Sequence, residues 1–185
     1  MKSLRLMLSV VLLSLSTVTF AQSAATPEAQ SAAQKSFAEL KTLAGTWTGP
    51  VTANPPQAGW GDKPLWVSMR VTSKGNALVH EMKEPGTPDD PSKDDPITML
   101  YMDNDRLTLT HYCDAGNRPR MIAKTSPDGK TVEFDFADVA GSTQYGHMHH
   151  AVFTVIDANH HTEDWTFMLP GDKHIQAHMD LQRAK

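Results

Sequence analysis

The stretch Leu107–Met121, LTLTHYCDAGNRPRM, reads as a strand, a tight polar loop and the start of a second strand. Period-two alternation puts Leu107, Leu109, His111 and Cys113 on one face and Thr108, Thr110 and Tyr112 on the other. An apolar face that ends in a histidine and the only cysteine of the chain reads as the wall of a cavity as readily as core. Gly116 and Asn117 supply turn geometry and Pro119 opens the next strand. Arg118 and Arg120, bracketing that turn, could orient a ligand carboxylate.

Outward from this stretch the same grammar repeats. Strands are expected at 46–52, 65–72, 77–83, 97–102, 106–113, 120–125, 131–137, 147–157, 162–168 and 174–182. Most are joined by short turns such as Asp103-Asn104-Asp105 and Pro127-Asp128-Gly129. The segment from Glu84 to Pro96 is charged and broken by proline, and reads as a loop. No crossover helix separates the strands, which disfavours a parallel sheet. About ten consecutive strands form a meander that hides its edges by closing, so the expected fold is all-β, an antiparallel up-and-down β-barrel. One amphipathic helix is expected before it, from Glu28 to Ala44, with Phe37, Leu40 and Leu43 at helical spacing and Gly45 ending it.

The N-terminus has a separate logic. Lys2 and Arg5 precede an apolar run from Leu6 to Val18, and Ala21 offers a small residue for cleavage. Residues 1–21 are therefore expected to be a signal peptide, 22–27 a flexible lead-in and 28–185 the barrel domain. A retained anchor is the competing reading; cleavage leaves no integral membrane span and sends the domain to the periplasm or outside the cell. The net charge of -4 and the absence of a basic cluster argue against nucleic acid as a partner. A single cysteine excludes an intramolecular disulfide. Nothing in the sequence fixes an oligomeric state.

At Leu43–Gly49, LAGTWTG, the chain resembles the calycin superfamily, which takes in lipocalins and nitrobindin-type barrels. Gly45 and Trp47 match its Gly-x-Trp, and the ordering of THYC, NRPRM and GHMHH resembles bacterial exported domains of lipocalin-like type. The resemblance implies that Trp47 plugs the closed end of the barrel and that Arg183 lies across it. It also implies a haem ligand near the end of the chain, in the region of His174 and His178, although Pro50-Val51 stands where nitrobindin-like barrels continue with glycine.

The expected function is binding of a small hydrophobic or amphipathic molecule inside the barrel. The expected lining is His80, Met82, His111, Cys113, Met121, His147 and His149, with Trp66, Tyr101 and Trp165 as further candidates. No resident cofactor is expected, with haem or zinc as alternatives. His147 and His149 share a strand face and His111 is a conceivable third metal ligand. A further alternative is an enzyme in which His111 activates Cys113 as nucleophile. His160, His161, Glu163 and Asp164 read as a solvated hairpin tip, and Asp89, Asp90, Asp94 and Asp95 as a solvated charge run.

Overall fold

The computed structural model describes residues 29–58, 60–61, 63–83 and 95–185. The proposed signal peptide, the lead-in and most of the charged Glu84 to Pro96 loop lie outside the described residues. Among the described residues, eleven strand segments follow one α-helix: β1 (Gly45–Gly49), β2 (Val51–Asn54), β3 (Leu65–Thr72), β4 (Ala77–Met82), β5 (Ile97–Asp103), β6 (Arg106–Tyr112), β7 (Arg118–Thr125), β8 (Thr131–Ala140), β9 (His147–Asp157), β10 (His160–Met168) and β11 (His174–Arg183). From β3 to β11 each strand pairs antiparallel with the next in a meander, β1 pairs with both β3 and β11, and β2 pairs with β11. The sheet therefore closes on itself.

Segments β1 and β2 are halves of one bent strand, so the barrel has ten strands. Proline cannot extend a ladder on its N-H side, and Pro50 breaks this one. Its carbonyl still accepts from the Asp180 amide. Gly49 is required beside it because an added Cβ would run into the backbone carbonyl of Asp180. Both β1 and β2 stay on β11, through Trp47 opposite Arg183 and Val51 opposite Met179.

The helix, α1 (Ala32–Lys41), is shorter than its apolar spacing predicts. Ser31 and Gln34 form a capping box that starts it, and Thr42 caps its end. It lies against β5, β6 and β7 and inserts Phe37 and Leu40 into the core, with Leu43 following just beyond it. Trp47, fully buried, donates its indole N-H to the Leu43 carbonyl at 2.7 Å. This end of the barrel is closed. The opposite end carries, among the described residues, the turns between β6 and β7, β8 and β9, and β10 and β11. No helix among the described residues is long and apolar enough to cross a membrane.

Inward positions follow the alternation closely: Val67 and Met69, Leu107 and Leu109, Val132 and Phe134, Ala151, Phe153 and Val155, Met179 and Leu181 are all buried. Each fully buried large side chain contributes about 1.5–3 kcal/mol. The strand between Asp157 and Met168 departs from expectation. Its turn is the two residues Ala158 and Asn159, so β10 begins at His160 and the tip does not include His161 or Glu163. Both sit on the inward face with Trp165 and have no solvent exposure, whereas the sequence predicts them solvated.

Candidate functional site

Three groups of chemically active side chains stand out. The deepest is a carboxylate held between two imidazoles at the centre of the barrel. Glu163 reaches His80 Nε2 at 2.9 Å and His161 Nε2 at 3.0 Å, and accepts the Trp165 indole N-H at 2.9 Å. Burial alone would push the Glu163 carboxyl up; attraction to His80 and the bonds from His161 and His80 hold it well below the usual carboxylate range. The outer nitrogens, Nδ1 of His80 and of His161, have no hydrogen-bond partner among the described residues although both are buried.

Aromatic rings pack around this cluster. His80 lies 5.6 Å from Trp165 and 5.8 Å from Phe153, and His111 lies 5.9 Å from Trp165. The His111 ring joins the Thr98 hydroxyl through Nδ1 at 2.8 Å. Burial, followed by repulsion from His80, pushes the His111 imidazole down to about 4. Of the lining expected from sequence, His80, His111 and Met121 are thus core residues locked in packed surroundings.

The second group lies at the end opposite α1, where β8 and β9 part. Their ladder ends at Asp135 opposite His150, while β8 runs on to Ala140 and β9 starts at His147. Across β10 the register slips between His150 and Met148, leaving His149 unmatched. Phe136 fills the parting: its ring stacks on His149 at 4.7 Å and tilts against His147 at 5.0 Å. His147 Nε2 and His149 Nδ1 are 3.1 Å apart, and partial burial followed by the nearby His149 lowers the affinity of His147 for a proton. His111 does not join them: among the described residues, the group of three ligand atoms that converges within 4.8 Å is Glu133, Asp135 and His150, on the outer face.

The third group borders a cavity of about 770 Å³ on the rim, lined by Ile97 and Met99 of β5, Tyr112 of β6, and Cys113, Asn117 and Arg118 of the turn into β7. Thr98 and Leu100 are buried inward, so Met99 faces out and the cavity lies on the outer wall, not inside the barrel. Asn117 shapes the rim by donating to the carbonyls of Ser142 and Gly146 at 2.9 and 2.8 Å. Asp95, at one edge, pairs with Lys83 at 2.6 Å. Burial pushes the Cys113 thiol up, with Asp114 adding to the effect, so the field here opposes a thiolate. The His111 ring is engaged with Thr98 and not with the cysteine.

The other candidates divide. Met82 packs against the core from a half-buried position, and Trp165 is buried beside His80. Trp66 is half-buried between the inward Leu65 and Val67, and Tyr101 bonds Thr110 across the outer face of β5 and β6 at 3.1 Å. Arg120 is committed to Asp138 and Asp103, leaving Arg118 as the exposed arginine of the turn. At the closed end the Arg183 guanidinium lies 4.2 Å from the centre of the Trp47 ring. His174 and His178 alternate with the buried Ala177, Met179 and Leu181 and face outward, His178 bonding Asp164 at 2.7 Å. They do not fit a haem held inside the barrel. Sequence reasoning missed Glu163 and His161, for which the shared period with Trp165 was the available signal.

No protein-family model and no curated protein matches the chain. Among solved structures it is similar to the crystal structure of Rv2717c from M. tuberculosis, at 14% identity and a TM-score of 0.53, over 81% of this chain and 98% of that one. A redesigned β-barrel aligns over 78% of this chain and 94% of that one, at 11% identity and a TM-score of 0.38. The first likeness concerns the barrel fold alone.

Proposed function

We propose that this protein is an exported, lipocalin-like barrel that binds a small hydrophobic or amphipathic molecule at the rim opposite α1, in the periplasm or outside the cell. The carrying observation is the 770 Å³ cavity, with Ile97, Met99 and Tyr112 as its apolar wall and Arg118 at its edge. That volume suits one small molecule, and an apolar wall with few polar groups is the usual composition of such sites. Tyr112 is 49% exposed and Ile97 38% exposed, apolar surface that a ligand would cover. The centre of the barrel, occupied by the Glu163 cluster and its rings, favours the rim over the interior. Arg118 suits an anionic headgroup.

The test uses 1-anilinonaphthalene-8-sulfonate, an apolar ring system with an anionic group. Wild-type protein is expected to bind it saturably, Met99→Asp to lose most of the binding, and Arg118→Gln to weaken it at least about tenfold, the scale of one lost charge-assisted bond. Neither substitution touches the core. Binding that both variants retain unchanged, or no saturable binding by wild type, would overturn the rim site.

A further inference from the structure

The third histidine of His147-Met148-His149-His150 faces a different chemistry from the other two. His150 on β9 is directly opposite Asp135 on β8, and Glu133 lies two residues earlier on the same face of β8. Neighbouring strands thus fix three donor side chains without help from a loop. The His150 Nε2 is 3.0 Å from Glu133 Oε1 and 3.7 Å from Asp135 Oδ1, and all three ligand atoms lie within 4.8 Å of one another. Lys124 pairs with the other Asp135 oxygen, Oδ2, from a position 71% exposed, so it leaves Oδ1 facing the histidine.

A single imidazole N-H can serve one of these two carboxylates well. The second, at 3.7 Å, is beyond a hydrogen bond; Lys124 pairs with its other oxygen, and Glu133 Oε1 and Asp135 Oδ1 converge on one imidazole that bonds only the first. A divalent ion would resolve that convergence. Two atoms each about 2.1 Å from a tetrahedral ion sit about 3.4 Å apart, and the two observed separations straddle this value. One nitrogen and two carboxylate oxygens suit zinc or a similar first-row ion; calcium, which takes six to eight oxygens, is poorly matched.

We propose that Glu133, Asp135 and His150 form a zinc-class divalent cation site on the outer face of the barrel, independent of the rim cavity. The ion takes three protein atoms and completes its shell with water. On the β10 side, away from Glu133 and Asp135, His150 also borders a groove of about 420 Å³ with Asn54, Asp164, Thr166, Gln176 and His178. A second His-carboxylate pair in that groove, His178 with Asp164, is the competing location for an ion. It offers two donors where the β8–β9 face offers three.

The experiment titrates untagged protein with Zn²⁺ alone by calorimetry and with Co²⁺ by visible absorption. Wild type, His178→Gln and His147→Gln are expected to bind one equivalent with similar affinity. His150→Gln and Glu133→Gln are expected to weaken binding at least about tenfold and to abolish the Co²⁺ ligand-field bands. These residues are on the surface, and far-UV circular dichroism checks that each variant is folded. Absence of binding by wild type overturns the proposal. So does binding that survives His150→Gln but is lost in His178→Gln or His147→Gln.

Discussion

Glu163 on β10 and His80 on β4 meet across the interior of the barrel, 2.9 Å apart, with no solvent exposure of either residue. They are 83 positions apart in the chain, and only closure of the sheet joins them. A carboxylate in such surroundings is stable only while its partners stay in place, because desolvation of an ion without partners costs several kcal/mol.

Glu163→Gln keeps the shape of the side chain but removes the charge that His80, His161 and Trp165 converge on. The expected loss is about 3–5 kcal/mol of unfolding free energy, the scale for breaking a buried pair, and urea denaturation measures it. The wild-type pH dependence has a definite sign. The folded value of Glu163 is depressed, so its stabilisation is present above the ordinary glutamate range and is lost as pH falls toward the folded value. An unchanged urea midpoint in the variant would show that the cluster is energetically neutral.

His111 makes a second prediction with its own pH window. Its folded value is about 4 against 6.5 in the unfolded chain, so between those values the unfolded state binds the extra proton. Stability is therefore complete above pH 6.5 and falls as pH drops toward 4, by about 3 kcal/mol in all. His111→Gln, which can still bond Thr98, is expected to flatten that part of the curve. Chemical denaturation of both proteins at several pH values across this interval provides the check, and an equally steep variant curve would assign the dependence to other groups.

Much of this architecture was legible in the sequence, because alternation and turn residues act locally. Strands and hairpins follow from short-range rules, whereas the roles of Gly45 and Trp47 were implied by a family resemblance. The Glu163 cluster was not, because a turn drawn over Ala158 to His161 hides the phase in which His161, Glu163 and Trp165 share a face. An inward glutamate also defies binary patterning, and its partner on β4 is a long-range consequence of closure. The facing of His147, His149 and His150 depends on a β-bulge, whose extra residue shifts register without a clear sequence signal. The outward facing of His174 and His178 was readable from the alternation of Ala177, Met179 and Leu181.

Arg183 ties the closed end together, and its loss is expected to exceed that of a cation-π contact alone. Besides covering Trp47, it donates to the carbonyls of Thr42, Ala44 and Ala158 at 3.1, 2.9 and 2.9 Å. The first two follow the C-terminus of α1, where a cation also complements the helix dipole. Arg183→Met is expected to cost about 2–3 kcal/mol, roughly 1 from the ring contact and the rest from charged hydrogen bonds that water largely replaces at these exposed or half-buried carbonyls. Gly45→Ala should act through the same residue, because Gly45 has φ +143° and an added Cβ would overlap the guanidinium. Thermal unfolding of both variants tests this, and a wild-type melting temperature for Arg183→Met would contradict it.

Cys113 separates a binding wall from a nucleophile. Thiol reactivity follows the thiolate fraction, and burial together with Asp114 raises the proton affinity of this thiol. Native protein is therefore expected to react with a disulfide reagent at neutral pH more slowly than the same protein unfolded in urea. Because Cys113 lines the rim cavity, saturating anilinonaphthalene sulfonate should slow the native reaction further. Arg118→Gln, which weakens the dye, should reduce that protection at a fixed dye concentration. Rapid stoichiometric labelling of the folded protein would point instead to an activated cysteine, and labelling indifferent to the dye would separate Cys113 from the site where the dye binds.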